Sequence, residues 1–153
     1  MQELDELDKQ LLGQLQQNNR ITSEELGNKI NLSTSAVQRR LKRLRQDKVI
    51  EADISIVSPA AVGLEITCVV DVTLNLGNTK AIDSFKSLMS GCVEVMQCYY
   101  VTGTYDFVLI VNAKDMKDYD EFSKKHFMDN PNVKQFYTHV VMDKVKVGYS
   151  VNI

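Results

Sequence analysis

The sequence predicts an α+β protein: a helical domain over residues 1–52, a β linker over 53–64 and a βαββαβ domain over 65–153. Two observations predict this division. Apolar residues recur at helical spacing in the first fifty residues, and beyond residue 65 alternating segments of strand type are separated by helical ones. The chain has 153 residues, of which 44% are hydrophobic and 25% charged. This composition is that of a soluble globular protein and excludes disordered and fibrous classes.

Two helices are predicted before residue 31. In the first, leucines from Leu4 to Leu15 follow the i, i+3, i+7 pattern of an amphipathic helix, and Asp5 is placed to cap its N-terminus. The second begins at Thr22, where Thr22-Ser23-Glu24-Glu25 forms a capping box and Ile21 with Leu26 a hydrophobic staple. The start of the second helix is therefore well specified.

A third helix follows a short turn at Asn31-Leu32. Ser33 is predicted to cap it, and Ser35 with Gln38 offers a competing capping box two residues later. At about 100° per residue, the side chains of Val37, Leu41 and Leu44 fall within roughly 60° of one another. The opposite side carries polar and basic residues, namely Ser35, Gln38, Arg39, Lys42 and Arg43.

Positive charge is concentrated in this region, although the formal net charge of the chain is -2. Between positions 38 and 48 only Asp47 opposes six basic residues, whereas four acids lie at positions 3, 5, 6 and 8. A helix, a short turn and a second, basic helix form a helix-turn-helix, whose second helix enters the major groove of DNA. The six basic residues are Arg39, Arg40, Lys42, Arg43, Arg45 and Lys48.

The predicted DNA contacts fall into two groups. Base reading is expected near the N-terminus of the third helix, from Thr34, Ser35, Gln38 and Arg39, with Gln38 suited to adenine and Arg39 to guanine. Phosphate contacts are expected from Ser33, Lys48 and some of the arginines. The remaining members of the predicted DNA-binding site are Arg40, Lys42 and Arg43.

The linker and the second domain follow from period-two alternation. Residues 49–57 alternate like a strand until Ser58-Pro59, and the segment is interpreted as a β linker. The elements predicted next are a strand over 66–74, a helix over 80–90, strands over 93–102 and 105–111 joined by a Gly103-Thr104 turn, a helix over 115–128 and a strand over 133–147. The order βαββαβ is that of a ferredoxin-like sandwich.

Both faces of the predicted sheet carry apolar side chains. Phe107 and Leu109 point to one face, and Val108 and Ile110 to the other. Two helices cover only one face, so the second face is expected to pack against a second copy of the chain with two-fold symmetry. A dimer also suits a helix-turn-helix, because such proteins commonly read two half-sites.

The remaining composition excludes several classes of protein. The cysteines Cys68, Cys92 and Cys98 lack the spacing of a zinc site and are expected to be reduced thiols, so no metal is predicted. No apolar run reaches the length of a membrane-spanning helix and the N-terminus does not resemble a signal sequence, so a cytoplasmic protein is expected. His126 and His139 lie in no nucleophile motif, and we expect no enzyme activity.

The chain resembles the Lrp/AsnC (feast/famine) transcriptional regulators, and three blocks carry the resemblance. Residues 4–12 with Leu15-Gln16 and Arg20 are similar to the opening helix of the family. Residues 32–44 with Val49-Ile50 resemble its recognition helix and exit, and Val101-Thr102-Gly103-Thr104-Tyr105-Asp106-Phe107 resembles its effector-domain hairpin. Lys48 stands where the family usually has glycine, and we expect it to add a phosphate contact.

The resemblance implies a winged helix-turn-helix, a β linker and a ferredoxin-like domain that dimerises through its sheet and often assembles into octamers. It also implies a small effector, usually an amino acid, bound near the Gly103–Asp106 turn where dimers meet. Backbone N–H groups beside Gly103 suit a carboxylate, and Asp106 suits an ammonium group. The predicted effector residues are Gly103, Thr104, Tyr105, Asp106 and Thr138.

The function expected is therefore a regulator that binds double-stranded DNA in response to an amino acid, with no other cofactor. The alternative is an amino-acid sensor that acts through protein contacts, its basic helix docking on an acidic partner. RNA binding of the RRM type is not predicted, although RRM domains share the βαββαβ order, because Thr104 and Asp106 stand where the RRM signature has aromatic residues.

Overall fold

The computed structural model describes residues 3–75 and 79–153, which form two compact units. The first unit comprises Met1–Ile56 together with Lys146–Ile153, and the second comprises Val57–Val145. The sequence assigned residues up to 153 to the second domain, so the placement of the last eight residues is a difference from the predicted division. The side-chain amide of Gln16 holds this segment, donating to Val151 O at 3.1 Å and accepting from Val151 N at 2.7 Å.

Three helices build the first unit: α1 over Glu6–Gln17, α2 over Ser23–Ile30 and α3 over Thr34–Gln46. Asp5 and Thr22 cap α1 and α2 as predicted, each within a complete capping box. Of the two candidate caps for α3 it is Ser33 that acts, since its hydroxyl accepts from the backbone N–H of Ala36. The buried core of the unit consists of Leu11, Leu12, Leu26, Ile30, Val37, Leu41 and Leu44.

The turn between α2 and α3 depends on a glycine. Asn31 ends α2 in the left-handed region with φ 56°, and the Leu32 N–H donates to Gly27 O at 2.9 Å. A Cβ atom added to Gly27 would lie 2.4 Å from Leu32 O, which is a backbone atom with little freedom to move. The tight approach of this turn to α2 therefore requires glycine at position 27.

The end of α3 shows why glycine is usual at position 48. Lys48 has φ 58°, and the N–H groups of Lys48 and Val49 donate to Arg45 O and Leu44 O. This pairing is the Schellman motif, whose left-handed residue is most often glycine because a Cβ atom is strained there. Lys48 thus occupies the expected turn at a cost in backbone strain.

The linker differs from the sequence prediction. Residues 51–58 form no regular secondary structure, and within the described residues no strand precedes Ile66. The strand that the alternation over residues 49–57 predicted is therefore not formed in this single chain. A strand needs a hydrogen-bonding neighbour, and Ile54 and Ile56 of this segment remain exposed.

The second unit has the predicted βαββαβ order. It contains β1 over Ile66–Leu74, α4 over Thr79–Ser90, β2 over Val95–Tyr100, β3 over Phe107–Ala113, α5 over Met116–Ser123 and β4 over Val133–Val140. The four strands form one antiparallel sheet in the order β2-β3-β1-β4. This is the strand order of a ferredoxin-like sandwich.

Two element boundaries differ from the predictions. The helix predicted over 115–128 is α-helical only to Ser123 and continues as a π-helical segment over Lys124–Met128. The last strand, predicted to reach residue 147, ends at Val140, since beyond residue 141 the chain no longer pairs with β1. No helix in the described part of the chain is long and apolar enough to cross a membrane.

The two faces of the sheet differ in burial. The residues of β1 and β3 that face the helices are fully buried, including Val70, Val72 and Leu109. On the opposite face, which we call the outer sheet face, Val69, Val108 and Ile110 are half-buried. This face also carries polar groups, because Thr67 donates to Asn112 at 2.9 Å and His139 lies 3.0 Å from Asp71. The outer sheet face is thus mixed, with an apolar centre.

Candidate DNA-binding surface and effector loop

The exposed face of α3 carries four of the predicted DNA-contacting residues. Ser35, Gln38, Arg39 and Lys42 are all exposed, and within the described residues neither Arg39 nor Lys42 lies in an ion pair with a carboxylate. We call these four residues the outward set. Their side chains leave α3 on the side away from Val37, Leu41 and Leu44, so they are free to meet a duplex.

Two arginines of α3 are held by α1. Arg40 Nη1 lies 2.7 Å from Asp5 Oδ2 and 2.8 Å from Asp8 Oδ1, and Arg43 forms a very short ion pair with Asp8 Oδ2. The Asp8 side chain is only 1% exposed. The hydrogen bond from the Asp8 backbone N–H, and then that from Arg40, lower the pKa of Asp5, and the hydrogen bonds that Arg40 donates to Asp5 and Asp8 raise the pKa of Arg40. We call these four residues the Asp8 cluster.

A third arginine is held by the linker. Arg45 binds Asp53 through two parallel contacts, Nε to Oδ2 at 2.7 Å and Nη2 to Oδ1 at 3.1 Å. This fork geometry is the strong form of an arginine–carboxylate pair. The hydrogen bond between the side chains raises the pKa of Arg45 and lowers that of Asp53.

The basic patch of the sequence is thus divided. We expected its cations to face outward together, but Arg40, Arg43 and Arg45 pair with carboxylates of the same chain. The position of Arg40 on the helix explains its pairing, because Arg40 lies about 60° from the middle of the apolar stripe and is directed toward the neighbouring helix, whereas Arg39 lies about 160° away and is directed toward solvent. Angle alone does not explain Arg43, which lies about 130° from the middle of the stripe and still reaches Asp8 of α1.

The spacing of charges in the sequence is itself a signal for this pairing. Asp5 and Asp8 are three residues apart, and so are Arg40 and Arg43. Each pair therefore lies on one face of its helix. Two acids and two arginines at matching spacing on helices that share a core predict contacts between the helices as readily as a free basic surface.

The predicted effector turn is the loop between β2 and β3. Gly103 has φ 120°, and Gly103 and Thr104 are exposed. The Asp106 carboxylate accepts from the Leu74 N–H at 2.7 Å, and the Asp106 N–H donates to Val72 O at 3.0 Å. Asp106 therefore fixes the loop to the end of β1, and within residues 3–75 and 79–153 its other carboxylate oxygen has no hydrogen-bond partner.

The remaining two predicted effector residues differ in their surroundings. The Tyr105 ring packs edge-on against Tyr137 of β4, with 6.0 Å between ring centroids. The Thr138 hydroxyl instead shares a hydrogen bond with Tyr119 of α5, on the face that the helices cover. Burial raises the pKa of Tyr119 to about 12, which keeps this phenol neutral. The structure thus unites Gly103 to Asp106 in one loop but gives Thr138 an internal partner.

A cavity in the second unit lies apart from these residues. It has a volume of about 190 Å³ and is lined in part by Glu94, Asn112, Phe122 and His126. None of the predicted effector residues lines it. In the described part of the chain, no three His, Cys, Asp or Glu residues lie close enough together to hold a metal ion.

Comparison with known proteins assigns both regions. Residues 4–45 match the family model of the AsnC-type helix-turn-helix domain, and residues 67–151 match that of the Lrp/AsnC ligand binding domain. The chain is 54% identical over 151 residues to y4tD, an uncharacterized HTH-type transcriptional regulator of Sinorhizobium fredii, covering 99% of this chain and 89% of the relative.

More distant relatives align over nearly the same length. The leucine-responsive regulatory protein of Escherichia coli strain K12 is 28% identical over 144 residues, covering 94% of this chain and 88% of the relative. Among solved structures, a transcriptional regulator of Neisseria meningitidis in complex with L-Met has a TM-score of 0.93 and 27% identity. That alignment covers 98% of this chain and 97% of the Neisseria protein.

Proposed function

Because the chain belongs to the Lrp/AsnC family of DNA-binding transcriptional regulators, we propose that it binds a specific DNA sequence through the outward set. An amino acid bound at the loop over residues 101–106 changes the affinity for that DNA. The observation that carries the proposal is the exposed face of α3, on which Arg39 and Lys42 stand beside Ser35 and Gln38 without competing carboxylates in the described residues. The three-helix unit that carries this face is well defined, since side-chain caps fix the starts of all three helices.

The chemistry of the outward set suits both components of recognition. Arg39 has the planar fork that pairs with guanine in the major groove, and Gln38 has the amide that pairs with adenine. Lys42 lies one turn farther along α3 and supplies a phosphate contact, which sets affinity and salt dependence. Thr34 is exposed at the start of α3, where it can reach a base edge, and Ser33 and Lys48 are exposed at the two ends of α3, where they can reach the backbones that flank the groove.

DNA binding is tested with duplex from the region upstream of the gene. We expect footprinting to show a protected site, and Arg39→Ala to weaken binding at that site by roughly tenfold or more, the cost of one good base contact. Lys117→Ala is the matched control, because it removes one exposed cation from α5 of the second unit and changes the net charge equally. Equal binding by wild type and Arg39→Ala across a salt series would contradict the assignment.

The effector proposal rests on the loop at 101–106. Exposed backbone around Gly103 offers N–H groups to a carboxylate, and the Asp106 oxygen that does not bind Leu74 offers an acceptor to an ammonium group. The L-Met bound to the Neisseria relative supports the amino-acid class. A thermal-shift screen of the twenty amino acids is the test, because a ligand that binds the folded state raises the melting temperature. A flat profile for all twenty would count against an amino-acid effector.

Assembly is proposed through the outer sheet face. A second copy packed there by two-fold symmetry would bury Val69, Val108 and Ile110, and neighbouring dimers would then meet near the effector loop in an octamer. We expect Ile110→Lys to yield monomers in light scattering. Val93→Lys is the control, since Val93 is 94% exposed and lies outside the outer sheet face. A dimeric Ile110→Lys variant would place the interface elsewhere.

The alternative of a sensor that acts through protein contacts makes a different prediction. Its basic helix would bind an acidic partner, and the full chain would show no preference for the upstream duplex over a random one. A specific footprint with a steep salt dependence excludes this alternative.

A further inference from the structure

We propose that Asp8 is a positioning residue for DNA recognition, and that it withdraws Arg40 and Arg43 from the DNA-contacting surface in order to orient α3. The inference rests on the proposed function, since it concerns which residues of α3 meet the duplex. It divides four of the five cations of this helix into two classes: Arg39 and Lys42 contact DNA, while the arginines of the Asp8 cluster hold the helix. The fifth cation, Arg45, pairs with Asp53 of the linker.

The geometry of the Asp8 cluster supports this role. Asp8 is buried, and its two carboxylate oxygens are bound by different arginines that lie one turn apart on α3. The same carboxylate accepts from the Asp5 N–H at 3.3 Å as part of the capping box of α1. One side chain therefore fixes the start of α1 and the rotation of α3 about its own axis.

Rotation of α3 matters because base reading is sensitive to it. At about 100° per residue, a rotation of α3 by 40° would bring Arg43 toward the direction now held by Arg39. The apolar stripe is narrow and consists of aliphatic side chains, which pack without directional bonds. Two charge-assisted hydrogen bonds to one buried carboxylate supply the missing directionality.

Burial also argues against exchange of these arginines onto phosphate. Removal of one partner from a buried ion pair leaves the other charge uncompensated, which is strongly unfavourable. If Arg40 and Arg43 moved to the DNA backbone, Asp8 would keep a buried negative charge beside an anionic duplex. The arrangement is therefore stable in the bound state only when both arginines stay with Asp8.

Salt dependence distinguishes a contact from a positioning role. Each phosphate contact contributes about 0.9 to the slope of log K against log salt concentration. We would measure this slope by fluorescence anisotropy for the full chain with the upstream duplex and with a random duplex of equal length. Arg39→Ala and Lys42→Ala are expected to lower the slope by about 0.9 each. Arg40→Ala and Arg43→Ala are expected to leave it unchanged while weakening binding to the upstream duplex alone.

A matched pair of carboxylate variants completes the test. Asp5→Asn and Asp8→Asn each remove one negative charge from the Asp8 cluster, but the side chain of Asp5 is 51% exposed and that of Asp8 1%. We expect Asp5→Asn to retain the preference for the upstream duplex. Asp8→Asn is expected to reduce that preference roughly tenfold, the value of about one base contact, and to steepen the slope because freed arginines reach phosphate.

Two results would overturn the proposal. One is a slope lowered by about 0.9 in Arg40→Ala or Arg43→Ala, which would make these residues phosphate contacts. The other is an Asp8→Asn variant with the same preference as Asp5→Asn. If Asp8→Asn fails to fold, the slopes of Arg40→Ala and Arg43→Ala decide the question. Failure of wild-type protein to bind duplex in a salt-dependent way would overturn the proposed function itself, which distinguishes the two failures.

Discussion

The carboxylate of Asp106 accepts a hydrogen bond from the backbone N–H of Leu74 at 2.7 Å, which joins the loop after β2 to the end of β1. This contact lies beside a register shift in the pairing of β1 with β4 between Thr73 and Leu74. The Asp106 side chain thus provides a hydrogen-bond acceptor for the Leu74 N–H at the point where the pairing of β1 with β4 is irregular. Asp106 has a structural role whether or not an effector is bound.

Asp106→Ala should lower the free energy of unfolding by about 1–2 kcal/mol, because it leaves the Leu74 N–H without its charged acceptor. Asp106→Asn should lower it less, since the amide oxygen can accept the same hydrogen bond. Urea unfolding measures both. If an amino acid raises the melting temperature of wild type but not that of Asp106→Asn, the charge itself serves the effector. Equal losses of stability in the two variants would contradict the structural role.

Two helical glycines should respond in opposite ways to alanine. Gly27→Ala places a Cβ atom 2.4 Å from Leu32 O and is expected to destabilise the first unit, with a matching loss of DNA binding. Gly13→Ala meets nothing within 4 Å and is expected to stabilise α1 by about 0.5–1 kcal/mol through helix propensity. Thermal unfolding measures both. A stabilising Gly27→Ala would show that the turn has more room than the structure indicates.

Burial of His126 should make stability fall in mild acid. Its side chain is 5% exposed, and burial first, then Lys125, lower the pKa of His126 below its usual value, while Glu94 acts in the opposite sense. As pH falls, the unfolded chain therefore binds a proton at His126 before the folded chain does. The contribution of neutral His126 to the free energy of unfolding is complete above about pH 6.5 and is lost as pH falls through the folded-state pKa.

Urea midpoints at pH 5, 6, 7 and 8 test this dependence. His126→Gln should be less stable than wild type at pH 8, because it loses packing against Phe122, but the difference should shrink toward pH 5. His139→Gln removes the other histidine, which is 61% exposed, and shows how much of the profile arises elsewhere. A constant difference between wild type and His126→Gln over this range would contradict the prediction.

Replacement of Lys48 is expected to affect the stability of the fold and DNA binding in opposite directions. Lys48→Gly should raise the free energy of unfolding by about 1 kcal/mol, because glycine adopts the left-handed conformation without strain. If Lys48 contacts phosphate, the same variant should lower the salt slope by about 0.9. Lys48→Ala separates the effects, since it removes the charge but keeps the Cβ atom. An unchanged slope in both variants would remove Lys48 from the predicted contacts.

Local signals in the sequence predicted most of the fold. The caps at Asp5, Thr22 and Ser33 act within a few residues, and the alternation in β1 follows directly from burial of one sheet face. Such features depend on near neighbours or on one face, so a single sequence contains them. The βαββαβ order of these elements then predicted the ferredoxin-like topology.

The features that the sequence did not predict depend on distant partners. Whether Arg40 and Arg43 face solvent or carboxylates depends on how α1 packs against α3, which helical periodicity alone does not specify. The linker has a clear β pattern, but no strand among the described residues of the single chain pairs with it. Thr138 lies on a strand whose alternation allowed either face, and its hydroxyl is on the side of Tyr119.

The docking of the last eight residues on the first unit has a practical consequence for fragment studies. A fragment that ends at Ile56 would contain all three helices and still be an incomplete copy of its unit, because Gln16 would lose the Val151 backbone that occupies both ends of its amide. Dissociation constants obtained with such a fragment would describe a different surface. Biochemistry on this regulator is therefore best done with the uncut polypeptide, and labels near Ile153 should be placed with that contact in mind.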